Sequence, residues 1–174
     1  MPSIADFHFP QMVWREGTKL LWNPIHKKVL KNRPEERVRL RIIEALIAAG
    51  WSKHRITTEE ALKAQESPAG RTDIICYDQN FRPQILVECK AENVPISSDV
   101  AEQTARYNRT VGAPYLLMSN GITDHWYEIS NQQSLKQLPS IPDLLKPTSQ
   151  ASRKRFSILE TAGICRRKSP AQPA

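Results

Sequence analysis

Two apolar, β-branched runs, TDIICYD at 72–78 and PQILVECK at 83–90, flank the turn-forming segment DQNFRP. Runs of this length and composition on either side of turn residues predict a β-hairpin. If Asp78 and Pro83 bound a four-residue loop, antiparallel pairing sets Asp73 opposite Glu88. Side chains alternate along a strand, so Glu88 and Lys90 share a face and Cys89 points to the other. The hairpin therefore carries two carboxylates and an ammonium together on one face of two otherwise apolar strands.

That grouping suits phosphodiester hydrolysis. Hard oxygen ligands from Asp73 and Glu88 can hold Mg²⁺ or Mn²⁺, which polarises a phosphoryl oxygen and acidifies water. A lysine beside the ion can orient the water or stabilise developing charge. The competing reading is structural: Glu88 and Lys90 neutralise each other as a pair on a solvated strand.

Asp73 followed by Glu88-Cys89-Lys90 resembles the PD-(D/E)xK nuclease signature. More specifically, the chain resembles the endonuclease domain at the N-terminus of type I restriction enzyme R subunits and their short stand-alone relatives. The matching pieces run in order: WNPIHKKV (Trp22–Val29), PEERVR (Pro34–Arg39), TDIICYD, ILVECKA, EQTARYN (Glu102–Asn108) and APYLLMSNG (Ala113–Gly121), covering roughly residues 20 to 130. The resemblance implies an α/β fold with a restriction-endonuclease-like core: a mixed central sheet with flanking helices. It implies a magnesium-dependent deoxyribonuclease in which Asp73, Glu88 and the main-chain carbonyl of Cys89 bind the ion and Lys90 positions the attacking water. It implies DNA as partner, with other restriction-system subunits as further candidates. The alternative is a catalytically silent DNA-binding or assembly module of such a complex.

The clearest helix runs from Pro34 to Ala49. Pro34 suits the first turn, Glu35 and Glu36 suit the positive N-terminal end, and Gly50 can terminate it. Val38, Ile42, Ala45, Leu46 and Ala49 define an apolar face. Glu35 stands three residues before Val38 and so lies above that face, whereas Glu36 is turned well away. In the resembled nucleases a glutamate of this helix can reach the metal site; Glu35 takes that role on geometry, with Glu36 as the alternative. A second helix is expected from Ser98 or Asp99 to about Thr110, ended by Gly112. Val100, Gln103, Tyr107 and Val111 share a face there, and Gln103 and Tyr107 are neighbours at i and i+4. The resembled R subunits carry a Q-x₃-Y pair on this helix, close to the metal site, and Gln103 and Tyr107 match it.

The remaining segments are placed more coarsely. RITTEEAL reads as a strand, or else TTEEALKAQE starts a helix, and SPAGR (Ser67–Arg71) is a turn. Ala113–Asn120 reads as a strand buried on both faces, which after the helix implies a right-handed parallel crossover. DHWYEIS (Asp124–Ser130) is one more strand. LLWNPIHKKVL is a short strand or loop before the first helix, and residues 1–20 lack a readable period. His26 has no second ligand at helical spacing and reads as a surface or packing residue. RKRFSILETAG could form a short helix.

Composition limits the alternatives. The 174 residues allow one domain of ordinary size, here 1–139, followed by a basic, Pro/Ser-rich tail, 140–174. The first part holds 18 Lys/Arg against 16 Asp/Glu, and the tail holds 7 against 2. Such a tail either adds phosphate affinity or is simply a solvated end. Three widely spaced cysteines, Cys76, Cys89 and Cys165, argue against a disulfide framework or a structural zinc site. No apolar run reaches the ~18 residues of a membrane span, and MPSIADFHFP lacks the layout of a secretory signal, so a cytoplasmic protein without membrane attachment is expected. The 174 residues contain no GxxxxGK[ST] phosphate loop, so ATP-driven translocation cannot come from them.

Overall fold

In the computed structural model, residues 1–61, 71–130 and 134–142 are described. The SPAGR turn, the end of the RITTEEAL reading and the short helix near residue 160 lie wholly or mainly outside them.

A six-stranded mixed sheet forms the body, in the order β4 (Ile56–Ala61), β5 (Arg71–Tyr77), β6 (Pro83–Cys89), β7 (Tyr115–Ser119), β8 (Asp124–Ile129), β9 (Leu135–Leu138). Only β6 and β7 pair in parallel; the other neighbours are antiparallel. The parallel pair needs a crossover, and α2 (Ser98–Val111) provides it. The architecture is therefore α/β, with a mixed central sheet between helices.

The two faces of this sheet carry different cores. On one, α1 (Pro34–Ala48) packs Val38, Leu40, Ile42, Ile43 and Leu46 against Ile74, Cys76, Ile85, Val87, Cys89, Leu117 and Trp126. On the other, Ala101 of α2 packs against Ile75, Leu86, Leu116 and Met118. Odd and even positions of β6 and β7 thus divide between the faces, as strand alternation requires. Both faces being covered explains the unbroken apolar run of β7, whose Leu116–Ser119 are all buried.

The hairpin differs from expectation in its loop and agrees in its register. Tyr77 pairs with Pro83 across a five-residue loop, 78–82, rather than a four-residue one. The Asp78 carboxylate closes this loop by accepting the Asn80 and Arg82 backbone N–H groups at 2.7 and 2.9 Å. The register then shifts by one residue between Tyr77↔Pro83 and Cys76↔Ile85, leaving Gln84 as a β-bulge. From there Ile75 faces Leu86 and Ile74 faces Val87, so continuing the ladder sets Asp73 opposite Glu88.

Three further differences follow from polar or short segments. The N-terminal region forms a separate antiparallel sheet of β1 (Met12–Arg15), β2 (Thr18–Asn23) and β3 (Lys28–Lys31). Its first turn is the two-residue Glu16-Gly17, both at positive φ (49° and 72°), the backbone a tight hairpin demands. The face of α2 is set by Ala101, Thr104 and Asn108, not by Gln103, which is exposed. Thr104 and Asn108 are tolerated inside because their polar atoms are bonded: Thr104 Oγ1 donates to Val100 O at 2.8 Å, and the Asn108 amide brackets Ala113 at 2.7 and 3.0 Å. Finally, β9 adds an edge strand where no pattern was legible.

Ile141 packs against the main core and Pro142 is buried. A chain truncated after residue 142 is expected to keep this packing. Its thermal unfolding, followed by circular dichroism, should stay cooperative with an unchanged midpoint; a broad, non-cooperative melt would place core contacts in the removed segment.

Candidate active site

Strands β5 and β6 bring Asp73 and Glu88 side by side, and α1 adds two residues from the opposite face. Arg39 grips Asp73 with two donors, Nε at 3.1 Å and Nη2 at 2.6 Å from Oδ1. The other oxygen, Oδ2, accepts the backbone N–H of Cys89 at 2.6 Å, which ties β5 to β6 at the level of the cluster. Arg39 Nη1 also donates to Glu36 Oε2 at 2.7 Å, three residues earlier on the helix. Lys90 Nζ donates to Glu88 Oε1 at 2.8 Å. The result is a charge chain, Glu36–Arg39–Asp73, lying beside a second pair, Glu88–Lys90. All five side chains are largely but not fully covered.

Electrostatics tie the two pairs together. Burial pushes the Glu88 carboxyl above its ordinary range, the Asp73 charge adds to this, and Lys90 and Arg39 oppose it. Burial pulls the Lys90 ammonium down, but the hydrogen bond and charge of Glu88, with Asp73 and Glu35, raise it on balance. The Arg39 guanidinium behaves alike: burial lowers it, and Asp73 and Glu36 outweigh that. Glu36, Asp73 and Glu88 set three carboxylates against the two cations Arg39 and Lys90, so the cluster keeps a net negative charge that favours a cation. The Cys89 thiol is pushed far up by burial and then by Asp73, so it remains a neutral packing group.

The orientation of Glu36 differs from expectation. Glu36 is not turned away; it faces inward, with a side chain 12% exposed, while Glu35 is exposed and influences Lys90 only through its charge. The cause is the width of the buried face. Leu40 and Ile43, both fully buried, lie four and seven residues after Glu36 and continue its row along the helix. The apolar set Val38, Ile42, Ala45, Leu46 and Ala49 alone marks a narrower face, one that leaves Glu36 outside it. Arg39 was missed altogether. Its signal was present in PEERVR: an arginine three residues after Glu36, inside a run of buried residues, must carry its charge to a partner.

Gln103 and Tyr107 do meet each other, Gln103 Nε2 donating to the Tyr107 hydroxyl at 3.1 Å. Their helix covers the sheet face that alternation assigns to Asp73 and Glu88. No hydrogen bond or ion pair among the described residues joins this pair to the Asp73–Glu88–Lys90 cluster. His26 has a structural partner, Thr58 Oγ1 at 2.7 Å. Among the described residues no group of three or more His, Cys, Asp or Glu side chains converges as a ready metal cage. No described helix is long and apolar enough to cross a membrane.

Among solved structures the chain is similar to the fragment assigned to an HsdR subunit of a type I restriction enzyme from Vibrio vulnificus YJ016, at 20% identity and a TM-score of 0.47. The alignment covers 73% of this chain and 26% of that one, so the present chain spans about a quarter of its length. A search of curated proteins finds no match. The family model described as "Type I restriction enzyme R protein N terminus (HSDR_N)" matches residues 34–142, from the first residue of α1 past the end of β9. It begins after the WNPIHKKV segment and takes in Glu36, Arg39, Asp73, Glu88 and Lys90. The chain belongs to the family of type I restriction enzyme R protein N-terminal domains.

Proposed function

We propose that this chain is a metal-dependent DNA endonuclease of the PD-(D/E)xK type. The observation that carries the reading is the juxtaposition of Asp73 and Glu88 on adjacent strands, where the Asp73 charge raises the cost of ionising Glu88, with Lys90 bonded to Glu88. The donors suit a hard divalent cation: two carboxylates, with the main-chain carbonyl of Cys89 as a third oxygen. Asp73 Oδ1 already accepts two hydrogen bonds from Arg39, whereas Oδ2 accepts one and retains a lone pair for an ion.

A bound Mg²⁺ or Mn²⁺ would supply Lewis-acid polarisation of a phosphoryl oxygen and neutralise charge there. The remaining work belongs to the chain's own groups. Lys90 spends one of its three N–H donors on Glu88, leaving two for the attacking water or a phosphate oxygen. Arg39 fixes the orientation of Asp73, and Glu36 in turn holds Arg39. Of the two helix glutamates, Glu36 is thereby the one coupled to the ligand set. Gln103 and Tyr107 offer an amide and a hydroxyl on the same face and would touch substrate rather than the ion. ATP-driven translocation and sequence readout, where they occur, would come from other sequence, such as further restriction-system subunits.

One observation favours the alternative of a silent assembly module: the guanidinium of Arg39 already neutralises Asp73. Calorimetry separates the two. Mg²⁺ is expected to bind the wild-type protein and to nick supercoiled plasmid with it. Asp73→Asn, nearly isosteric, should abolish both while the protein stays folded. Equal Mg²⁺ affinity in the two proteins would remove Asp73 from the ligand set.

A further inference from the structure

The small β1–β2–β3 sheet concentrates positive charge far beyond the rest of the domain. Residues 11–33 hold six Lys/Arg and one Glu, whereas the other residues up to 139 hold 12 Lys/Arg and 15 Asp/Glu. The net positive charge of the domain therefore resides in this sheet and its loops, and the remainder is acidic. The register gathers three of the cations at one end. Arg15 pairs with Thr18, Trp14 with Lys19, and Leu20 with Lys31, all within three rungs of the Glu16-Gly17 turn, with Arg15 and Lys31 on one face of the ribbon and Lys19 with Trp14 on the other. Lys27 and Lys28 occupy the opposite end, roughly 17 Å away at the usual rise per strand residue.

These cations differ from the three that build and flank the candidate site in being uncommitted. Arg39, Arg41 and Lys90 each hold a carboxylate. Arg15, Lys19, Lys28 and Lys31 are exposed, and none is paired with an acidic group among the described residues. Beside them Trp14 is 67% exposed, an aromatic of the kind on which a base or sugar can rest. The far end of the sheet is pinned next to the candidate site. His26, in the β2–β3 loop, bonds Thr58, which pairs with Ile74, the neighbour of Asp73. The sheet lies before the stretch matched by the family model.

We propose that the β1–β2–β3 sheet is the docking surface for the DNA backbone, with Arg15, Lys19 and Lys31 gripping phosphates at the hairpin tip and the His26 end directing the strand toward Asp73 and Glu88. The proposal rests on the reading of the chain as a DNA-cleaving enzyme. A polyanion fits the surface because unpaired cations on an exposed sheet gain from counterion release, a sequence-independent attraction. The acidic balance elsewhere repels the same backbone and so orients it.

The test uses the full chain and a fluorescein-labelled DNA duplex, with binding read by anisotropy in EDTA over a range of salt. One variant carries Arg15→Gln, Lys19→Gln and Lys31→Gln. A control of equal charge loss carries Lys53→Gln, Arg82→Gln and Lys136→Gln. The tip variant is expected to lose roughly tenfold or more in affinity, and its salt slope should fall by about 0.9 for each phosphate contact removed. The control should stay near wild type. Equal affinity and slope in the two variants would overturn the proposal while leaving the nuclease reading intact. A wild-type protein that neither binds nor cleaves DNA would overturn both. Retained DNA affinity with lost adsorption to phosphatidylserine vesicles would assign the surface to lipid and likewise overturn it.

Discussion

Replacing Lys90 by alanine should slow single-turnover DNA cleavage by about 10²–10³-fold while changing DNA affinity far less. The reason is where the ammonium acts. Charge accumulates on phosphate and attacking water in the transition state, and an interaction made mainly there accelerates the chemical step without tightening substrate binding. Lys90 has the donors for this beyond the one held by Glu88. Two other outcomes have distinct signatures. A lysine that merely contacts phosphate would weaken binding uniformly and lower the salt slope by about one when removed. A lysine that merely pairs with Glu88 would cost at most about 1 kcal/mol of stability and leave cleavage alone. Wild-type cleavage by the variant would sink the catalytic assignment of Lys90 and most of the case for an active nuclease.

Arg39→Ala should be the most destabilising single change in the site, by about 3 kcal/mol, because removing one partner of a covered ion pair leaves the others uncompensated. Here two carboxylates, Asp73 and Glu36, lose the same guanidinium. For a domain of this size that corresponds to a fall in Tm of roughly 6–12 °C. Mg²⁺ should restore part of the loss, since a divalent ion beside Asp73 replaces the missing positive charge, and a ligand that binds only the folded state stabilises it by mass action. The measurement is thermal unfolding of wild type and variant with and without Mg²⁺. A variant whose Tm deficit is the same in both conditions would show that Arg39 and the ion do not share Asp73.

The pH dependence follows from Glu88. Its folded-state pKa is raised, so between its unfolded and folded values the folded protein binds the extra proton. On this group's account, stability rises as pH falls through the raised pKa and is lowest when Glu88 is charged. Metal binding, which needs the charged carboxylate, should strengthen in the opposite direction.

The hairpin, the register that pairs Asp73 with Glu88, both helices and the run of β7 were legible because each is written in local chemistry: β-branched runs, turn residues, caps and apolar period. Even the misjudged loop length did no harm, since the bulge at Gln84 restored the pairing. The Glu16-Gly17 hairpin was equally local, but its polar strands concealed the alternation. Other features belong to no local pattern. The grip of Arg39 on Asp73 joins residues 34 positions apart across two elements. The inward turn of Glu36 depends on how wide a face of α1 the sheet can cover. The burial of Thr104 and Asn108 depends on partners that only the packed helix end provides. Local sequence fixes backbone propensity and the strand faces; which charges meet, and which polar groups can be buried, is decided by long-range packing, because a charge or amide is tolerated inside only where the fold brings its partner.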